Sequence, residues 1–193
     1  MDEIVKAALK KWPGVPHCYG WLALDARGDW YMRDDRIQHA GPFPQIKGSR
    51  IDHDKLKAFI ERNYEADAAG RWFFQNGPQR VYVQLEAAPW VWRLQWPTAP
   101  DRICTPGVTS HTGRVALARS VWLDDEGRLY LDTDIGFGIV HTQDMLDAAH
   151  AVEAGHWQPQ PLAAADAPQR FGYQREPAPD GADPAAATSA RLA

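Results

Sequence analysis

Leu24-Asp25-Ala26-Arg27-Gly28-Asp29-Trp30-Tyr31-Met32 returns later in the chain as Leu123-Asp124-Asp125-Glu126-Gly127-Arg128-Leu129-Tyr130-Leu131. Each copy has apolar residues leading in, an Asp-x-x-Gly turn and an apolar alternation leading out. The glycine supplies the positive φ that a short hairpin loop requires, so both copies read as β-hairpins. Each is followed, after a loop, by a helix-like run opening near a histidine, at Ile51-Asp52-His53 and at Ile139-Val140-His141. The pair predicts a hairpin-then-helix unit used twice. A duplication would leave this echo, and so would good turn chemistry met twice; the sequence weighs the two evenly.

Outward from the hairpins, residues 2–11 place Ile4, Val5, Ala8 and Leu9 on one face and predict a short amphipathic helix. Trp12-Pro13-Gly14-Val15-Pro16 ends it, because proline cannot continue the hydrogen-bond ladder. Residues 34–50, with Gly41, Pro42, Pro44 and Gly48, read as a loop. Asp52 is the predicted cap of a helix from His53 to Ala66, with Leu56, Phe59, Ile60 and Tyr64 on one face. Val81, Val83 and Leu85 then alternate with Tyr82, Gln84 and Glu86, and Asn76-Gly77 marks the turn before them. Trp90 to Trp96 reads as another strand, with Trp90, Trp92, Leu94 and Trp96 on one side, and residues 97–113 as the longest irregular segment. The second hairpin occupies 114–123 and 128–132, and a last helix runs from Thr142 to Ala154.

Strands in blocks joined by short turns predict an α+β fold: a mainly antiparallel sheet with helices on one side, in a single domain over residues 1–158. From 159 to 193 proline, alanine and aspartate dominate, and such a composition predicts a disordered tail. The aromatic patch Gln169-Arg170-Phe171-Gly172-Tyr173-Gln174-Arg175 is its one exception.

The chain has 193 residues, nine tryptophans and a formal net charge of −4. Lysines are confined to Lys6, Lys10, Lys11, Lys47, Lys55 and Lys57, and no basic stripe of the kind that nucleic-acid binders carry is present. RNA binding would have to rest on exposed sheet aromatics such as Tyr82 or Trp92, with Arg80 and Arg93 supplying charge. The N-terminal run Met1-Asp2-Glu3 is unlike a secretory signal, and no apolar stretch approaches the roughly 18 residues a spanning helix needs. The expectation is a cytoplasmic chain, away from membranes, with Cys18 and Cys104 reduced.

His17, Cys18, Cys104 and His111 lack the close paired spacing of a structural zinc site, and adjacent His17 and Cys18 point to opposite faces of an extended segment. Gly136-Phe137-Gly138 lies between a strand and a helix, as a phosphate loop would, but His141 stands where a third glycine is needed. No Gly-x-Ser-x-Gly elbow occurs. The sequence therefore calls for no metal, no cofactor and no catalytic residue. The segment that clusters polar groups is Thr109-Ser110-His111-Thr112-Gly113-Arg114. Brought near Asp132, Asp134 and His141, its His111 and Arg114 would hold a small polar or anionic ligand. Hydroxyls in such a loop more often serve their own backbone.

Asn76-Gly77-Pro78-Gln79-Arg80-Val81-Tyr82-Val83, Pro89-Trp90-Val91-Trp92-Arg93-Leu94, the Ser110-His111-Thr112-Gly113 loop and Gly136-Phe137-Gly138-Ile139-Val140-His141-Thr142-Gln143-Asp144-Met145 together resemble a family of small bacterial proteins known only as a domain of unknown function. The resemblance covers residues 1 to about 155. It implies a cytoplasmic bacterial protein and carries no activity to transfer. The reading that remains is a non-catalytic interaction or accessory protein with another protein as partner. Small-molecule binding at 109–114 and 132–141 stands second, RNA binding third.

Overall fold

The sheets and helices are those of a computed structural model that describes residues 1–97 and 105–179. The fold is α+β, and its strands form two sheets rather than one. The first contains β1 (Cys18–Leu24), β2 (Trp30–Met32), β3 (Ser49–Arg50), β4 (Tyr64–Ala66), β5 (Trp72–Asn76) and β6 (Gln79–Leu85), in the order β3-β2-β1-β6-β5-β4. The second contains β7 (Trp90–Gln95), β8 (Gly107–Ser110), β9 (Val115–Ala116), β10 (Ala118–Asp124), β11 (Leu129–Thr133), β12 (Gly136–Val140) and β13 (Gln160–Leu162), in the order β13-β10-β11-β12-β7-β8-β9. The chain divides into two compact units. One is Met1–Asp25, Asp29–Glu86 and Gln174–Ala193; the other is Ala26–Gly28 and Ala87–Tyr173.

With β13 set aside, the two sheets have the same topology. Three strands meander, three more meander, and the last lies parallel to the first: β6 against β1, β12 against β7. The remaining pairings within these sets of six are antiparallel. The repeat runs in a different frame from the sequence echo. The counterpart of the β10–β11 hairpin is β4–β5, with its turn Asp67-Ala68-Ala69-Gly70-Arg71, and not the β1–β2 hairpin.

The two sets differ in how their third and fourth strands connect. Between β3 and β4 the first unit inserts the helix α3 (Asp54–Arg62), after α1 (Glu3–Lys11) and α2 (Asp35–Ala40) earlier in the chain. Ile60 of α3 is buried and Phe59 meets Phe74 of β5 edge-on at 5.3 Å. Between β9 and β10 the second unit has Leu117 alone. β9 pairs with β8 and β10 with β11, so a single interrupted strand carries the hydrogen-bonded order back to its beginning.

Several boundaries depart from the sequence reading. Asp34, whose carboxylate accepts from the Ile37 N–H at 3.0 Å, starts α2 inside the predicted loop. His53 rather than Asp52 caps α3, its Nδ1 accepting from Leu56 N–H at 3.3 Å. That helix ends at Asn63, which is wholly buried, accepts from the Asp2 N–H at 2.7 Å and donates to Phe59 O at 2.9 Å. Tyr64 is free to continue as strand. Residues 107–110, read as irregular, form β8.

Part of the segment expected to be a tail from residue 159 carries secondary structure. β13 pairs in parallel with β10, and α5 (Ala167–Phe171) follows it. Phe171 stacks on Phe137 with centroids 3.7 Å apart, and the Tyr173 hydroxyl donates to Ala87 O at 2.9 Å. The aromatic patch thus supplies the apolar burial that its flanking prolines and alanines lack. Residues 180–193 of the expected tail, like Cys104, lie outside the described residues.

Candidate functional site

Tryptophan decides the arrangement of the second unit. Trp90 and Trp92 of β7 are 1% and 0% exposed, and their ring centroids are 6.0 Å apart. Trp90 Nε1 donates to Ile135 O at 3.0 Å, and Trp92 Nε1 reaches across β12 to Leu131 O at 3.2 Å. That reach requires Gly138: a Cβ there would lie 2.5 Å from Trp92 Nε1. The glycines that suggested a phosphate loop are strand residues of β12 that make room for indoles. Tyr82 and Trp92, the aromatics on which an RNA reading would rest, are buried and offer no platform for a base.

The predicted ligand residues are placed as follows. His111 and Arg114 meet at Trp90, the His111 ring at 5.8 Å and the Arg114 guanidinium at 5.3 Å from its centroid. His111 Nδ1 accepts from the Val91 N–H at 3.2 Å. Within their loop, Ser110 Oγ accepts from the Arg114 N–H at 3.1 Å and lies 2.9 Å from Thr112 Oγ1, so the hydroxyls serve the turn itself. Asp132 pairs with Phe137 and Ser120, whereas Leu131 and Gly138 pair in line with Trp90. Because successive strand residues alternate faces, Asp132 stands on the side of the sheet opposite Trp90. Asp134 is exposed and clamps Leu117, accepting from its N–H at 2.7 Å. His141 is buried beyond the far end of β12 and caps the following 3-10 turn, with Nδ1 accepting from Gln143 N–H at 3.1 Å. The fold brings His111 and Arg114 together and sets the other three apart from them.

The strongest electrostatics belong to residues that sequence reasoning passed over. Asp144 is buried, and both its oxygens take the Arg93 fork, Oδ2 from Nε at 2.6 Å and Oδ1 from Nη2 at 3.0 Å, while Leu94 N–H donates at 2.9 Å. Burial pushes this carboxyl up, but the fork and the amide outweigh it and hold it below the usual carboxylate range. Asp124 accepts from the Glu126 and Arg128 amides at 3.0 and 2.8 Å, from Arg128 Nε at 2.7 Å and from the Tyr130 hydroxyl at 3.0 Å. Asp67 in the first unit does the same with the Ala69 and Arg71 amides, Arg71 Nε and the Tyr82 hydroxyl, at 3.0, 3.0, 2.8 and 3.1 Å. For both, burial raises the pKa and the donated hydrogen bonds lower it by more, leaving each carboxyl depressed. In the first unit Lys47 also bridges Asp25 at 2.9 Å and Glu86 at 3.0 Å. These ionic groups are committed to holding turns and loops. Among the described residues no three His, Cys, Asp or Glu side chains are grouped as metal ligands.

One concavity in the second unit is large enough to hold part of another molecule. It is a groove of about 890 Å³ running along β9 and β10 on one side and residues 155–161 on the other. Val108, Val115, Leu117, Val121, Trp157 and Pro159 give it apolar walls; Val115 is 75% and Leu117 70% exposed. Its charged or titratable lining residues are Arg119 and His156, and no acidic residue lines it among the described residues. Pairing of β10 with β13 begins at Trp122 opposite Gln160. Along Ala118–Val121 the described residues put no strand on that edge. On the far wall Pro159 has no N–H to give.

A search among curated proteins finds no match. Among solved structures, the chain is similar to a DUF1285 family protein from Silicibacter pomeroyi DSS-3, with 12% identity and a TM-score of 0.46 over 77% of this chain and 83% of that one. It is also similar to a DUF1285 family protein from Shewanella baltica OS155, with 17% identity and a TM-score of 0.45 over 67% and 91%. The family model DUF2944, described as "Protein of unknown function (DUF2946)", matches residues 1–178, beyond the 155 reached by the sequence resemblance and through β13 and α5. With nearly its whole length matched, the chain belongs to that family.

Proposed function

We propose that this is a non-catalytic interaction protein whose second unit receives an extended segment of a partner protein along the β9–β10 edge. The observation that carries the reading is the groove itself: a strand edge at Ala118–Val121 that no other described strand pairs, flanked by exposed Val115 and Leu117 and faced by Pro159 and Pro161. Strand addition uses such an edge, with main-chain hydrogen bonds giving affinity and alternate side chains giving specificity. Arg119 and His156 without an acidic neighbour favour a segment that carries an acidic residue between apolar ones. The commitment of Asp67, Asp124 and Asp144 to arginine and tyrosine partners supports a role without chemistry of its own.

Selection of displayed random peptides on the immobilised full-length protein tests this. The expected result is enrichment of alternating apolar sequences with an acidic position, shifting to a basic position on Arg119→Glu. Ala118→Pro, which removes the N–H next to Leu117 that alternation turns away from β11, is expected to weaken the selected peptide by about tenfold or more, a loss comparable to one main-chain hydrogen bond. Absence of enrichment, or peptides indifferent to both substitutions, contradicts the reading.

A further inference from the structure

Arg33 follows β2 and is 2% exposed. Among the described residues its guanidinium has one acceptor, Gly41 O, which takes a hydrogen bond from Nη2 at 2.8 Å. Nε and Nη1 are buried and reach no acceptor among those residues. The Phe43 ring lies 5.6 Å from the guanidinium carbon. Burial lowers its pKa, and among the described residues no carboxylate opposes that shift. The contrast with Lys47 is close at hand in sequence: Lys47, better exposed, bridges two carboxylates, whereas the more deeply enclosed cation has none among the described residues.

A guanidinium cannot shed its proton at physiological pH, so the charge remains even where burial opposes it. Uncompensated buried charge is among the most costly features a fold can carry. Water would satisfy the free N–H groups and leave the charge in place. An anion would do both. The segment from Gly41 to Gly48 lies against the side chain: a Cβ at Gly48 would sit 3.2 Å from Arg33 Cγ and 2.5 Å from Met32 O, so only glycine allows that approach. An enclosure this close, with an aromatic ring at one side, excludes a bulky or strongly hydrated ion, so the ion class its chemistry calls for is small and weakly hydrated.

We propose that Arg33 is the core of a binding site for a small monovalent anion of chloride size, seated against its free N–H groups and stabilising the first unit. The site is independent of the groove in the second unit. The test exchanges gluconate for chloride at constant ionic strength and follows thermal unfolding of the full chain. The midpoint is expected to rise by about 3 °C and to saturate, as binding to the folded state alone requires. Arg33→Met, which keeps the apolar stem, is expected to abolish the chloride dependence. Should that variant fail to fold, bromide-soaked crystals of the unaltered protein give the same answer through an anomalous peak within hydrogen-bond distance of Arg33. Indifference of the unaltered protein to chloride, dependence that survives Arg33→Met, or bromide peaks elsewhere only, would overturn the proposal.

Discussion

The two units share one strand order and part at a single connection. Between its third and fourth strands the first spends the nine residues of α3, which bury Ile60 and set Phe59 against Phe74. The second spends Leu117, and the neighbourhood of that residue is an exposed apolar groove. The same arrangement of hairpins therefore produces a covered face in one case and an open edge in the other. A repeated topology fixes where strands lie; the length of one connection fixes what is left for a partner.

The largest expected effect concerns the turns that the two units have in common. Asp67→Ala and Asp124→Ala each strand a buried tyrosine hydroxyl and a half-buried arginine, and each is expected to cost about 3–5 kcal/mol in denaturant unfolding. Equal costs would sharpen the equivalence of the two hairpins. A cost below about 1 kcal/mol at Asp67 alone would break it. Next in size is the difference in closure. Ile60→Ala is expected to cost about 2–4 kcal/mol, as for other buried aliphatics, while Leu117→Ser is expected to stay within about 0.5 kcal/mol. If Leu117→Ser destabilised as much as Ile60→Ala, the groove would be core and not surface.

Acidity gives a smaller and graded test. The folded pKa values of Asp67, Asp124 and Asp144 are depressed, so their contribution is complete above the unfolded carboxylate range and lost as pH falls through the folded values. Stability is expected to be level from pH 7 to about 5 and to decline below about 4, with a shallower decline in Asp124→Asn. A transition centred near pH 6 would assign the control to histidines instead.

Much of this fold is legible in the sequence because it is local. The alternation of Val81, Val83 and Leu85, the Asn76-Gly77 turn and the two Asp-x-x-Gly turns each become what their spacing predicts. What escapes depends on distant partners. The helical periodicity through Phe59, Ile60 and Tyr64 continues past the true end of α3, because Asn63 is held by Asp2. The parallel pairings of β1 with β6 and of β7 with β12 join strands separated by whole hairpins, and no local signal announces them. The Phe171–Tyr173 patch looks unsupported until Phe137 is beside it. Among candidate site residues, His111 and Arg114 lie together because one turn contains both. The sequence reading misses Asp144, which reads as an ordinary acid at a helix start until Arg93 meets it.

Amide hydrogen exchange of the full chain, alone and with a peptide obtained by selection, tests the open edge most directly. The account predicts new protection concentrated at Ala118–Val121, with β3 and β4 of the first unit unchanged. Binding that leaves Ala118–Val121 exchanging as fast as before, with protection arising elsewhere, would contradict it.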